Sequence, residues 1–419
     1  VASDRPPPSR MSIPWSFLGA PPLTSINFVM KETSSFRFDA ASSALIGGGV
    51  VKELPDLVAC LGAKRVLLVT DPGVVELGIA DTVASSLETA GLPTAVFSDV
   101  QPDPTDRNVT AGVEALRSHE ADLIVAVGGG SPIDTAKVIS VVPTNEGPLS
   151  GFKGLHKIRN PGLPLVAVPT TAGTGSEATK VAVITDTSND VKMMMLSVSL
   201  QPRVAVVDYE LTMTMPRLLT AAVGVDTFTH GLEAFVSRKA NAQTDPIALS
   251  CLKLVATHLQ AAWNQADDCA ARAGMMLASF QGGMAFSNSS VCLVHGMSRP
   301  IGAVFHVPHG LSNAILLPTV TRFSIPGAVD RYAAAARHVG CAGSDHSDSV
   351  AAGRLVAWLE ELNQSLELPR LRDCRGVTRE KFEGTVEKMS ADALASGSPA
   401  NNPRVPTVEE IIQLYHQAW

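Results

Sequence analysis

A chain of 419 residues, 45% hydrophobic, 17% charged and only 5% aromatic, is a globular polypeptide with a large aliphatic core and length enough for two domains. Its net charge of −7, carried without any basic run, argues against nucleic acid as the main partner, and no apolar stretch is long enough to span a bilayer. The six cysteines are scattered, with no C-x-x-C pair, which fits small buried thiols in a reducing compartment such as the cytoplasm.

Residues 1–33 differ from the rest, with Pro6-Pro7-Pro8, Pro21-Pro22 and Asp4 as the only acid before Glu32. They read as a poorly ordered extension with Met11 as an internal start, or as a leader that would direct the chain to mitochondria. The prolines oppose the amphipathic helix such a leader needs. From residue 36 strands and helices alternate, which predicts an α/β domain with a mostly parallel sheet over 34–212. Phe36-Arg-Phe38 is a short alternating run. Continuous or alternating apolar runs follow at 65–70, 94–97, 121–127, 165–168, 181–184 and 204–207, with helical spacing at 81–90 and 108–117.

In such sheets ligands bind beyond the carboxyl ends of strands. The run ending at Val127 leads into Gly128-Gly129-Gly130-Ser131-Pro132, where glycines allow close backbone approach and the following helix offers N–H groups to a phosphate. Asp71 ends an earlier strand. It either accepts hydrogen bonds from an adenosine ribose, favouring NAD over NADP, or caps the next helix. The 165–168 strand opens into Pro169-Thr-Thr-Ala-Gly-Thr-Gly-Ser-Glu177, a loop of small donors or simply a Ser/Thr turn.

Beyond Pro216 the β-runs stop, and 213–419 reads as a helical, metal-binding domain. Helical spacing covers 218–236, 246–264, 270–284, 329–339, 349–366 and 378–394. A last helix follows the capping box Thr407-x-x-Glu410, with Val408, Ile411, Ile412, Tyr415 and Trp419 docking on the core. Asp226 and His230 stand four apart, on one helical face. His295 and His309 lie in a second patch rich in Gly and Pro. Any one buried histidine is more often a core residue than a ligand. One carboxylate and three imidazoles together make a four-ligand set for Fe²⁺ or Zn²⁺. His306, three residues before His309, is available as a supporting or proton-relay group.

The motifs Gly128-Gly-Gly-Ser-Pro-Ile-Asp134-Thr-Ala-Lys137, Pro169 to Glu177, Gly224-Val-Asp-Thr-Phe-Thr-His-Gly-Leu-Glu233, His295-Gly-Met, Pro308-His-Gly310 and Asn402-Pro-Arg404 occur in order. In these the chain resembles the iron-containing, group III alcohol dehydrogenases from about Phe36 onward. The resemblance implies a dehydroquinate synthase-like architecture: a Rossmann-like dinucleotide-binding domain, a helical domain and a cleft between them. It implies that Asp226, His230, His295 and His309 hold Fe²⁺, with Zn²⁺ the alternative. It further implies NAD(H) on Asp71, Gly128, Gly129, Gly130, Ser131, Pro132, Asp134, Thr170, Thr171, Thr174, Val183 and Lys192. Phe286 matches a ring beside the substrate. A homodimer or larger homo-oligomer is the implied assembly.

One position departs from the pattern. Many relatives carry a second histidine four residues after the one matching His295, and here it is Arg299. Arginine keeps its proton, so the relay passes to His306, a water or the cofactor ribose. Otherwise Arg299 grips an anionic substrate. The expected activity is NAD(H)-linked, metal-dependent hydride transfer to or from a small alcohol, aldehyde or hydroxy acid. A maleylacetate-reductase-like enzyme working on an anion without metal is one alternative. A glycerol-dehydrogenase-like zinc enzyme is another, opposed by the His309 match. A catalytically inactive NAD-binding subunit is the alternative from another class.

Overall fold

The unbroken aliphatic runs of the first half become parallel strands because both of their faces are covered. The computed structural model describes residues 35–41, 43–189 and 191–419, so the expectation for 1–33 lies outside the described residues. The strands are β1 (Ser43–Gly47), β2 (Val66–Val69), β3 (Thr94–Phe97), β4 (Leu123–Gly128), β5 (Gly154–Leu155), β6 (Leu165–Pro169), β7 (Val181–Asp186), β8 (Val191–Leu196) and β9 (Val204–Asp208). Six of them form a parallel sheet in the order β1-β9-β6-β4-β2-β3. Five helices accompany them: α1 (Leu54–Cys60), α2 (Pro72–Glu76), α3 (Ile79–Thr89), α4 (Asp106–Ser118) and α5 (Gly130–Val141).

Successive side chains of each strand alternate between the faces. Leu67, Val69, Ile124 and Ala126 pack with Val113 of α4 and Ile139 of α5. Val66, Leu68, Val125 and Val127 pack with Val58 of α1 and Val83 of α3. The chain leaves β2 toward β3 on one side and returns past it to β4 on the other, so the strand order reverses between β2 and β4. Such a reversal opens a crevice at the carboxyl ends of the strands. Asp71 and the glycine triplet flank this one. The Thr70 hydroxyl donates to the Val127 carbonyl at 2.8 Å and ties the two strand ends together.

The strand expected at 181–184 forms, but outside the parallel sheet. As β7 it runs antiparallel to β8, and with β5 they make a separate three-stranded sheet. The residues 36–38 are not a strand. The backbone just after them is held by a side chain, the Asp39 N–H donating to Asn288 Oδ1 at 2.7 Å and the Asp39 carbonyl accepting from Asn288 Nδ2 at 2.8 Å. The first strand is β1, an exposed edge that carries little aliphatic signal.

The second half is helical throughout: α6 (Arg217–Val236), α7 (Thr244–Asn264), α8 (Cys269–Ser289), α9 (Leu293–Phe305), α10 (His309–Ser324), α11 (Val329–Val339), α12 (Asp348–Ser365), α13 (Arg379–Ala395) and α14 (Val408–Gln417). The capping box opens α14, whose Ile411 and Tyr415 are buried, joined by Leu414. The patch rich in Gly and Pro around His295 and His309 is two helices. Pro300 and Pro318 sit inside α9 and α10, where each removes one backbone donor, and burial on the helical core outweighs that loss.

Helix α6 is buried along nearly its whole length, and its glycines let neighbours approach. A methyl group at Gly231 would lie 3.0 Å from the Cys251 sulfur of α7. Gly283 of α8 faces the Gly175 backbone, which joins the helical half to the threonine-rich loop. A methyl at Gly283 would overlap the Gly175 carbonyl oxygen, whereas one at Gly224 meets only the Leu259 side-chain tip. Gly283→Ala is therefore expected to destabilise the protein by about 1–3 kcal/mol, and Gly224→Ala by less, read as shifts of the denaturation midpoint.

Candidate active site

Helix α6 turns Asp226 and His230 to one side, and both are buried. The first turn of α9 brings His295 against them. Asp226 Oδ1 lies 3.8 Å from His230 Nε2 and 3.6 Å from His295 Nε2. One ligand atom from each of these three residues falls within 4.8 Å of the others. The His230 and His295 rings stack at 4.7 Å between centroids. His309, the first residue of α10, lies open at the surface of this group with its ring 5.3 Å from that of His295.

Asn313, one turn further along α10, closes the cluster. Its side-chain nitrogen donates to Asp226 Oδ1 at 2.6 Å and lies 3.2 Å from Nε2 of both His295 and His309. Lone pairs from three side chains thus converge on one donor, the arrangement a divalent cation would also satisfy. Burial holds the His295 imidazole well below its usual pKa, in the neutral form that binds metals. Burial opposes ionisation of Asp226, but the imidazoles of His230, His309 and His295 and the Asn313 amide keep its carboxyl below the ordinary value. Three nitrogens and one carboxylate suit iron or zinc alike. The Cys292 thiol is turned away to backbone carbonyls, and burial raises its pKa well above that of a free thiol.

Around this cluster, Phe286 stacks on His230 at 4.4 Å between centroids. Arg299 lies one turn beyond His295 on α9. It donates to Ser398 Oγ at 2.9 Å and contacts the Met194 sulfur of β8 at 3.7 Å. Among the described residues it has no carboxylate in ion-pair range. His306 ends α9 in a left-handed conformation (φ 58°) and is exposed. The Lys192 ammonium of β8 pairs with Asp103.

At the strand reversal, Gly128 has φ 150°, and a methyl group there would lie 2.6 Å from Pro132 Cγ. Methyls at Gly129 and Gly130 would fill the space in front of Thr171 and Thr174, at 3.4 and 3.0 Å. The Thr171 hydroxyl is buried beside this cradle without a hydrogen-bond partner among the described residues. Asp71 caps α2 through the Val74 N–H at 3.0 Å, and its second oxygen faces Gly128. The cradle and the unpartnered hydroxyl fit a pyrophosphate. Thr170 is buried and its N–H donates to the Gly128 carbonyl. Asp134 braces the loop rather than facing open space: it accepts from the Ser176 hydroxyl at 2.6 Å and from the Val183 N–H at 2.9 Å. The fully buried Lys137 donates to Ser176, Thr179 and the Val181 carbonyl, welding α5 to the loop. Asn313 and Ser398 carry no local sequence signal of a role here, and Glu233 is marked only by closing the Asp226-His230 motif.

Residues 41–209 match the iron-containing alcohol dehydrogenase family, and residues 220–419 match the C-terminal family of the Fe-containing alcohol dehydrogenases. The NAD-dependent methanol dehydrogenase of Bacillus methanolicus is 37% identical over 382 residues, covering 91% of this chain and 99% of that protein. The crystal structure of a 1,3-propanediol oxidoreductase superposes with a TM-score of 0.89 at 36% identity, covering 92% of this chain and all of that one (100%). The sulfoacetaldehyde reductase of Bifidobacterium kashiwanohense, solved in complex with NAD+, superposes with a TM-score of 0.82 at 26% identity, covering 92% and 99%.

Glu177, at the end of the threonine-rich loop, is buried with neither carboxylate oxygen hydrogen-bonded among the described residues, and burial raises its pKa to about 7. A carboxyl raised in the folded state stabilises the fold below its unfolded pKa and loses that contribution as pH climbs toward 7. Glu177→Gln is therefore expected to raise the melting temperature relative to the parent at pH 8 and to change it little at pH 4.5. A larger gain at the acid end would contradict the assignment.

Proposed function

The chain belongs to the iron-containing alcohol dehydrogenase family and is an oxidoreductase of alcohols and aldehydes, and we propose that it works with NAD(H) and a divalent metal on a small substrate. The observation that carries this reading is the convergence of Asp226, His230 and His295 on one buried point, with His309 reaching it through the Asn313 amide. When bound, the metal supplies a Lewis acid for the substrate oxygen and the nicotinamide supplies or accepts the hydride.

The chain's own residues do the rest. Asp226, His230, His295 and His309 hold the metal, iron in the first instance and zinc as the alternative. Gly128 to Pro132 receive the pyrophosphate, with Thr170, Thr171 and Thr174 beside it. The free side of Asp71 takes the adenosine ribose and repels a 2′-phosphate, which selects NAD over NADP. Phe286, stacked on His230, limits the substrate to a short one. Arg299 cannot release a proton, so exit of the alcohol proton falls to His306, an exposed imidazole at the end of α9. A homodimer or larger homo-oligomer is the assembly we expect.

A second reading concerns the substrate. Among the described residues Arg299 has no carboxylate in ion-pair range, and a planar fork of that kind grips carboxylate or sulfonate groups. A hydroxy acid or an aldehyde bearing an acid group would then be preferred. Sulfoacetaldehyde, which names one of the structural relatives, is an aldehyde of that kind.

Metal-reconstituted protein, assayed by NADH absorbance against neutral alcohols and hydroxy acids, tests both readings. His295→Ala and His309→Ala are expected to lose activity and bound metal together. A demonstrably metal-free variant that keeps full activity would contradict the ligand assignment and favour a metal-free reductase. Arg299→Ala is expected to raise KM for an acid substrate about tenfold or more while leaving that of a neutral alcohol within about twofold. Equal effects on the two would remove the anion reading.

A further inference from the structure

Glu233 stands on α6 seven residues after Asp226 and three after His230, so one helix face carries two candidate ligands and this carboxylate. It is 3% exposed and pairs with no lysine or arginine among the described residues. Its hydrogen bonds all go to the start of α9. Oε2 accepts from Nδ1 of His295 at 2.7 Å and from the Cys292 N–H at 2.8 Å, while Oε1 accepts from the Val294 N–H at 2.6 Å.

The far edge of the His295 ring fixes the logic. Its Nε2 faces the Asn313 amide donor at 3.2 Å and the Asp226 carboxylate at 3.6 Å. A neutral imidazole has one donor nitrogen and one acceptor nitrogen. With a carboxylate at Nδ1 and an amide donor at Nε2, the proton belongs on Nδ1 and the lone pair on Nε2.

Resting on the metal reading above, we propose that Glu233 is a positioning residue of the metal centre. It holds His295 as the Nδ1–H tautomer, orients the ring and anchors the first turn of α9, so that the Nε2 lone pair points at the space shared with Asp226 and His230. Carboxylate acceptance behind a ligating histidine also raises the basicity of its other nitrogen, and removing such a partner typically weakens metal binding by about 10–100-fold. Two ligands and the support for a third thus come from one rigid helix, which reduces the number of elements that must be placed independently.

Glu233→Gln tests this, because the amide must turn a donor toward either His295 and Cys292 or the Val294 N–H. Zn²⁺ affinity is measured by chelator competition on the full, metal-stripped chain in the parent, Glu233→Gln, His295→Ala and the double variant. The expected result is a loss of about 10–100-fold for Glu233→Gln, and less than about twofold further loss when His295 is already absent. Unchanged affinity in Glu233→Gln, or an equal loss with and without His295, would overturn the proposal and leave Glu233 as a cap of α9. If His295→Ala itself leaves Zn²⁺ affinity unchanged, the ligand assignment fails instead, and the positioning role with it. Nitrogen-15 histidine spectra of the metal-stripped parent give an answer independent of any variant. The Nδ1–H form of His295 is expected, and the Nε2–H form would overturn the proposal.

Discussion

Burying a carboxylate among helices is the constraint on which the rest of this structure depends. Asp226 is 2% exposed, and a charge so placed is tolerated only where other groups answer it. The answer comes from three elements at once. His230 lies on the same helix, His295 comes from α9, and Asn313 with His309 comes from α10. Two of those helices, α6 and α9, are held where they must be by groups that do not touch Asp226. Glycines on α6 admit α7, Glu233 fixes the start of α9, and Tyr415 of α14 donates to the Met297 carbonyl of α9 at 2.6 Å. A polar cluster of this kind is costly if any partner slips, which is why the shell around it is so thoroughly packed.

The parallel sheet builds the second candidate site by a different route. Its strand reversal leaves a crevice whose walls are backbone, because only glycine at 128–130 avoids filling it. Lys137 and Asp134 then tie α5 to the threonine-rich loop, and Gly175 ties that loop to α8. The same α8 carries Phe286 onto His230. A continuous run of packed, hydrogen-bonded parts therefore leads from the glycine cradle to the Asp226 cluster, with Ala205 and Val207 of β9 sharing the helical core. The separate sheet of β5, β7 and β8 brings Lys192 and Met194 up to the same face of α9.

Much of this was legible in the sequence where a local pattern has a single structural meaning. Aliphatic runs such as 66–69 and 123–127 have no stable place except between two helical layers. Asp226 and His230, four apart in a long helical stretch, share a face by geometry alone. Legibility failed where distant residues decide the outcome. Gly296, Pro300 and Pro308 hid two helices, since burial on neighbouring helices overrides a weak local propensity. Phe36 and Phe38 alternate like a strand, yet Asn288, far along the chain, claims the backbone next to them. The membership of β7 in a second sheet depends on β8, a methionine-rich run with no strong β signature. Asn313 is an ordinary polar residue until α10 is placed, and Glu233, though spaced to share the face of Asp226 and His230, shows its partners only once α9 is placed. Arg299 is visible as a departure, but that no described carboxylate pairs with it needs the fold.

The central claim is that Asp226, His230, His295 and His309 converge on one metal beside the nucleotide crevice. Anomalous diffraction from crystals of the metal-loaded protein, collected at the iron and zinc edges, tests it most directly. The account predicts one peak per chain, at about 2.0–2.2 Å from a carboxylate oxygen of Asp226 and from a ring nitrogen of each of the three histidines. A peak elsewhere, or one touching none of these side chains, would contradict it.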